Sequence, residues 1–384
     1  MTESITIKNL GPIKDIHIEN IKPFTVFIGE SGSGKSTIMK AIALFRWIYK
    51  MHNIRSYLKH SKISKSPFRF RWETYLKNCG FEQFIKRDTQ IIYTTKLASG
   101  NTYTINFANY NLSGVGTQEL IKPQDFYFNK ISFISETRNI IPLWADKGAS
   151  FTGGYLGFYF HEVYKDFELA TEAVKEMEMD FLKLKFSTKK TSSGKKYSIQ
   201  SRSGDPFEID FKNSSSGTQT CVPISLITQY FSKKFSFEEA FNRSVLTYLS
   251  NTDTLTDFKA VKNLSEIEKK IFIHIEEPEL SLYPDAQCQL INDIVKKCFI
   301  DTENSIEIMF STHSPYIINH LNLLIRAFEK VTYVDGAKYD YNKLSVYKVI
   351  DGALENLMAI NEKLVDTNPL SETINNIYSK YNAL

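Results

Sequence analysis

Residues 4–10 and 13–19 carry apolar side chains at alternating positions, and Gly11-Pro12 separates them. That period of two predicts a pair of strands joined by a tight turn. After Pro23 the pattern changes to a nearly continuous apolar run, residues 24–28, as expected of a buried strand. A Gly/Ser turn follows, then an apolar helix over 38–48. Segments 90–97 and 102–107 alternate again around Ser99-Gly100-Asn101, which predicts a hairpin. A short strand is expected at 130–135. Beyond a glycine-rich patch (Gly148, Gly153, Gly154, Gly157), the pattern predicts a helix over 160–179 and strands within 180–211. Helical runs then end near Phe231 and span 237–249. Apolar strands at 271–275 and 306–310 flank a helix at 285–299, and 343–350 alternates before a helical, polar tail. There is no internal repeat and no long heptad run.

Composition narrows the class. Of 384 residues, 42% are hydrophobic and 23% charged, which excludes wholesale disorder. The net charge of +4 conceals a basic block at 46–90, where eleven Lys/Arg face Glu73, Glu82 and Asp88, a local charge of +8. Aromatics interleave with these cations: Trp47, Tyr49, Tyr57, Phe68, Phe70, Trp72, Tyr75, Phe81 and Phe84. Exposed, they would suit unpaired bases beside phosphate-binding cations; buried, they would be the inner face of helices with a solvated outer face. Cys79, Cys221, Cys288 and Cys298 form no CxxC pair and read as reduced thiols. With neither a signal-peptide pattern nor a membrane-length apolar run, a cytoplasmic protein with no membrane partner is expected.

The turn after the strand at 24–28 reads Gly29-Glu30-Ser31-Gly32-Ser33-Gly34-Lys35-Ser36-Thr37 and fits G-x-x-x-x-G-K-[ST] at every fixed position. Glycines let the backbone turn its N–H groups toward phosphate, and the helix that follows adds the positive end of its dipole. In this motif Lys35 reaches the β- and γ-phosphates of ATP and the Ser36 hydroxyl ligates Mg²⁺. At the end of the strand at 271–275 stand Glu276 and Glu277, where open α/β sheets gather ligands. One carboxylate can serve the metal and its neighbour can act as general base; taken alone, the pair also fits a solvated acidic turn. His313, in Ser311-Thr312-His313-Ser314-Pro315, ends another strand and fits either a phosphate contact or a loop histidine. Ser214-Ser215-Ser216-Gly217-Thr218-Gln219 precedes a helix and fits an anion site or a linker with its N-cap. His274, inside an apolar strand, reads as a core histidine.

The order GESGSGKS, SSGTQ, EEPE, THS resembles the ABC-type ATPases of the structural-maintenance (SMC), recombination and OLD (overcoming lysogenization defect) kind. The resemblance runs from the first strands to about Tyr333. It implies a single α/β ATPase head over 1–384, with a mixed parallel sheet, an N-terminal antiparallel β subdomain and a signature-bearing helical/β subdomain at 150–250. A basic helical insertion at 46–90 and a C-terminal extension at 336–384 complete that division. It also implies Glu276 in the magnesium role, Glu277 as catalytic base and His313 as switch histidine. Ser216, Gly217 and Gln219 would contact the nucleotide of an opposing protomer. Glu276 replaces the usual Asp, and Thr218 replaces a signature glycine. Residues 131–142 resemble an "IPAERN"-like element of the defence branch, which makes Arg138 a candidate nucleotide or partner contact.

These features imply an ATP-hydrolysing homodimer or higher oligomer. They resemble the ATPase subunits of Septu-type (including retron-attached) or PARIS-type antiphage systems, which work with a separately encoded nuclease of the HNH or toprim kind. The alternatives are a DNA repair or recombination ATPase and a nucleotide-locked scaffold with little turnover. A transporter subunit fits EEPE and SSGTQ poorly, and the missing heptads exclude long coiled-coil arms. Lys59, Lys62, Lys65, Arg69 and Arg71 are the candidate contacts to nucleic acid, such as retron RNA or DNA, or to a protein partner.

Overall fold

The computed structural model describes residues 1–63, 72–116, 118–145, 158–192, 194–246, 249–250 and 255–383. Strands β1 (Thr2–Leu10) and β2 (Ile13–Ile18) pair antiparallel across the Gly11-Pro12 turn. Strand β3 (Phe24–Ile28) is buried along its whole length and leads through the glycine-rich turn into α1 (Lys35–His60). A short helix α2 (Trp72–Asn78) precedes β4 (Ile85–Lys96), β5 (Thr102–Ala108) and β6 (Asn111–Ser113). With β1 and β2 these build a five-stranded antiparallel sheet, in the order β2-β1-β4-β5-β6. Helix α1 is far longer than the apolar run at 38–48 and carries the beginning of the basic stretch. It contacts β7 (Tyr127–Ile134) and, further along the chain, β12 (Glu268–Glu276), as well as β1, so both its sides are covered.

The middle of the chain forms α3 (Ile141–Ala145), α4 (Phe158–Ala173) and a four-stranded antiparallel sheet. Its strands are β8 (Glu176–Met179), β9 (Leu184–Thr191), β10 (Gly194–Ser201) and β11 (Glu208–Asp210). The helix expected over 160–179 therefore stops at Ala173. Met177 and Met179 are buried between exposed Glu176 and Glu178, a period of two, and β8 pairs with β9. Helices α5 (Ser216–Lys233) and α6 (Phe237–Phe241) follow, the latter continuing into a wider π turn at Asn242–Leu246.

After β12 come α7 (Pro284–Val295), β13 (Ile306–Thr312), α8 (Pro315–Glu329), β14 (Leu344–Ile350) and β15 (Ala353–Asn356). The central six-stranded sheet runs β15-β14-β3-β13-β12-β7, with all pairs parallel except β14 with β15. The fold is α/β, a mixed sheet with an antiparallel sheet and helices around it. One apolar core joins the central sheet to α4, α5, α7 and α8; the other joins α1 to the antiparallel sheet.

A buried charge cluster pins α1 between the sheets. The Arg46 guanidinium reaches Glu3 on β1 at 2.5 Å and Glu307 on β13 at 3.6 Å, and lies 3.8 Å over the Phe272 ring. Burial alone would lower the Arg46 pKa, but Glu3 and Glu307 raise it, so the group stays charged. His274 sits in this cluster, with Nε2 3.3 Å from Arg46 Nη1 and Nδ1 3.4 Å from the Ser132 carbonyl. It is a satisfied core histidine.

Candidate functional site

Strands β3, β13 and β12 are adjacent and parallel, with Ile28 beside Thr312 and Ser311 beside Glu276. The three segments that follow their carboxyl ends therefore emerge side by side at one sheet edge, the place where such sheets bind ligands. They border an open cleft of about 300 Å³ lined by Ser31, Gly32, Gly34, Lys35, Ser36, Thr37, Glu277, Ser311 and His313. Pro12, in the turn between β1 and β2, and Phe84, just before β4, also line it.

The turn between β3 and α1 has the form of a phosphate cradle. Gly32 (φ 78°) and Gly34 (φ 108°) take backbone conformations that side-chain-bearing residues disfavour. A Cβ on Gly34 would sit 2.4 Å from Ile13 Cδ1. Lys35 is buried, and its ammonium donates to the carbonyls of Gly29 (2.9 Å) and Glu30 (2.8 Å), which brackets it across the turn. Burial lowers the Lys35 pKa, while Glu277 and Glu279 act against that. Ser33 Oγ is buried without a hydrogen-bond partner among the described residues, so the cradle holds a donor for an incoming oxygen.

Glu276 is 2% exposed, and neither carboxylate oxygen accepts a hydrogen bond among the described residues. Lys40, one turn along α1 from Ser36, approaches it to 3.8 Å. Burial, then the neighbouring Glu136 carboxyl, raises the Glu276 pKa, with Lys40 and Ser36 opposing. A buried carboxylate beside a serine hydroxyl is a hard-oxygen donor set that fits Mg²⁺. Glu277 differs in setting. It is partly exposed, faces the cleft, and its Oε1 lies 3.4 Å from His313 Nε2. Its backbone is left-handed, φ 45°, an uncommon conformation for glutamate. The Glu277 N–H donates to the Ser311 carbonyl at 2.9 Å. The His313 N–H in turn donates to Glu279 Oε1 at 2.6 Å, which ties the third segment to the second.

Arg138 was expected at a nucleotide or partner, but its surroundings give it a different task. It is fully buried and donates to four carbonyls: Ser135 (3.1 Å), Glu276 (2.6 Å), Glu277 (2.5 Å) and Thr220 (3.2 Å). Burial pulls its pKa down to about 10, so it remains a cation at neutral pH. Buried at 0% exposure, with four of its five N–H donors committed to main-chain oxygens, the guanidinium is held in the interior and not offered at the surface.

The Ser-Gly segment opens α5. Ser215 is the N-cap, with Oγ accepting from the Thr218 N–H at 3.3 Å, and Ser216 is exposed beside it. None of Ser216, Gly217 and Gln219 lines the cleft of its own chain. The Gln219 amide turns back to donate to the carbonyls of Lys212 (2.8 Å) and Ser214 (2.9 Å), so it shapes the segment before the helix. Gly217 packs on the segment after Glu277, where an added Cβ would meet the Ser281 carbonyl at 2.8 Å.

The residues from Gly29 to Thr37, with Glu276, Glu277 and His313, therefore meet at one edge. Lys59 and exposed Lys62 lie at the far end of α1, whereas Lys65, Arg69 and Arg71 fall outside the described residues. Tyr49, Tyr57 and Phe81 are core, which assigns the buried alternative to these members of the aromatic series. Sequence reasoning missed Pro12, Phe84, Lys40 and Glu136. Only Lys40 carried a signal, its position four residues after Ser36 on a helix.

A family profile described as AAA ATPase domain matches residues 1–102 and 159–318, more than half of the chain. No curated protein matches it. Among solved structures, the SMC head domain from Thermotoga maritima covers 93% of this chain and 98% of its own, at 11% identity and a TM-score of 0.39. An SMC head bound to the C-winged helix domain of ScpA covers 94% and 98%, at 12% identity and a TM-score of 0.39.

Proposed function

Because the chain belongs to the AAA ATPase domain family, and is an ATPase, we propose that it hydrolyses ATP at an interface between two copies of itself. The observation that carries this reading is the meeting of the phosphate cradle and the Glu277–His313 pair at one cleft, with the buried Glu276 carboxylate next to Glu277 at the end of β12. Residues 29–37 hold the phosphates, and Lys35 neutralises charge that builds on the β,γ-oxygens. Ser36 and Glu276 hold Mg²⁺, which when bound supplies further neutralisation of the phosphate oxygens. Glu277 accepts a proton from the attacking water, and His313 orients that water or a γ-phosphate oxygen. Pro12 and the partly exposed Phe84 offer the nucleotide an apolar wall.

Ser216 and Gly217 act in trans. Ser216 is exposed at the start of an 18-residue helix and stands outside the cleft of its own chain. A second copy facing the cleft would bring that helix terminus, with its partial positive charge, to the γ-phosphate.

The ATP cycle in turn controls a separately encoded effector nuclease of HNH or toprim type in antiphage defence. Support for this part is the likeness of the SSGTQ, EEPE and THS motifs to those ATPases, and the retron branch would add a nucleic-acid partner at Lys59 and Lys62. The test is phosphate release by the purified protein with Mg²⁺ and ATP, beside co-purification of the neighbouring gene product. Turnover abolished by Glu277→Gln supports the site. Absence of turnover in the wild type, with tight ATP binding, replaces it with a nucleotide-locked scaffold.

A further inference from the structure

The catalytic carboxylate and the signature helix are joined inside the protein by one side chain. Glu277 holds a left-handed backbone, φ 45°, which costs free energy unless neighbouring contacts impose it. Two contacts do so: its N–H donates to the Ser311 carbonyl on β13, and its carbonyl accepts from Arg138 Nη2 at 2.5 Å. The same guanidinium donates through Nη1 to the Glu276 carbonyl and through Nε to the Thr220 carbonyl, in the first turns of α5. A second link runs parallel to it. Thr220 Oγ1 donates to the Leu280 carbonyl at 2.8 Å, and Gly217 lies against the Ser281 carbonyl. Both links are in the interior, since Arg138 is 0% and Thr220 1% exposed.

We propose that Arg138 is a positioning residue that couples the signature helix to the catalytic base. Its planar fork fixes the Glu277 backbone in the conformation that sends the carboxylate toward His313, and it ties that conformation to the position of α5. Contact of a partner's nucleotide with Ser216 is then felt at Glu277 through Thr220 and Arg138. Lysine cannot substitute, because an ammonium lacks the fixed fork that spans three separate segments. The inference rests on the reading of Glu277 as the base.

The experiment compares wild type, Arg138→Lys, Thr220→Val and the double variant, with Glu277→Gln as reference. For each, steady-state turnover, ATP affinity by direct binding and the thermal midpoint are measured. Arg138→Lys and Thr220→Val should each lower kcat by about tenfold or more while ATP affinity stays within about twofold. The double variant should lose less than the product of the two. Thr220→Ser, which keeps the hydroxyl, should restore turnover. A folded Arg138→Lys protein with wild-type kcat, or a kcat loss matched by lost ATP affinity, overturns the proposal. Should Arg138→Lys fail to fold, Arg138→Gln, which keeps one amide donor but not the fork, decides by the same criterion. A wild type without turnover, or turnover insensitive to Glu277→Gln, would instead overturn the assignment of the base.

Discussion

The Glu277 carboxylate lies 3.4 Å from His313 Nε2, and the main chains on either side of this pair are themselves hydrogen-bonded. The Glu277 and His313 N–H groups, bonded to the Ser311 carbonyl and the Glu279 carboxylate, hold the two loops, so replacing either side chain of the pair should leave the loops in place. Glu277→Gln should lower turnover by about 100-fold or more, the usual scale for removing a general base. Bound ATP should be retained, as seen by nucleotide quantification after gel filtration. His313→Ala should give a smaller loss. Equal ATP loss from both variants would show that they bind nucleotide rather than process it.

Gly34 and Ile13 give the phosphate turn a test that separates conformation from space. Alanine at position 34 meets two obstacles, φ 108° and a contact of 2.4 Å with Ile13 Cδ1. Gly34→Ala should therefore abolish ATP binding measured by a fluorescent analogue. Adding Ile13→Ala removes the clash but leaves the strained φ, so the double variant should regain only part of the affinity. Full recovery would mean that space alone demands the glycine.

Much of the site was legible because its chemistry is local in sequence. Residues 29–37 form one turn, and Glu276–Glu277 and His313 each follow a short apolar run. A parallel sheet then brings them together by topology. What could not be read is what depends on burial. Arg46 belongs to a strongly basic stretch, yet Glu3, distant in sequence, draws it into the core. Arg138 has the composition of a ligand contact, and only its four carbonyl partners show a structural clamp. The overlong helix expected at 160–179 had the same origin, since the period of two over Glu176–Met179 is too short to stand out from the helix before it until β9 pairs with it.

Removing Arg46 should be costly. Arg46→Met deletes the cation and leaves Glu3 and Glu307, 2% and 8% exposed, in the interior. Breaking a buried ion pair from one side costs about 3–5 kcal/mol. Denaturant unfolding should show a loss of that order, with smaller losses when Glu3→Gln or Glu307→Gln is added. A loss below about 1 kcal/mol would mean that water reaches the cluster.

Ser216→Arg places a bulky cation on an exposed position outside the cleft. ATP affinity of the isolated chain should be unchanged, while turnover falls to the level of Glu277→Gln. Mixing the Ser216→Arg and Glu277→Gln variants sharpens the test. A sandwich of one of each contains one complete site, built from the wild-type Glu277 of the first and the wild-type Ser216 of the second. Partial recovery of turnover on mixing is therefore expected, and its absence would count against action in trans.

His274 gives stability a pH dependence with a definite sign. Burial, then the Arg46 cation 3.3 Å away, hold its pKa well below the usual value, so the folded ring is neutral. In the unfolded chain it takes a proton below about pH 6.5. The unfolded state then binds more protons, and stability falls as pH falls, by up to about 1.4 kcal/mol per pH unit. Glu276, Glu279 and Glu307 push the other way, because burial raises their pKa and acid relieves the cost of their charge. The wild-type curve mixes both effects, whereas the difference from His274→Gln isolates one. Glutamine can still accept from Arg46 and donate to the Ser132 carbonyl, and it does not titrate. The stability advantage of wild type over His274→Gln should therefore shrink between pH 7.5 and 5.5 in denaturant unfolding. A constant difference would mean that the folded ring titrates as it does in the unfolded chain, and a growing one that it keeps a proton across that range.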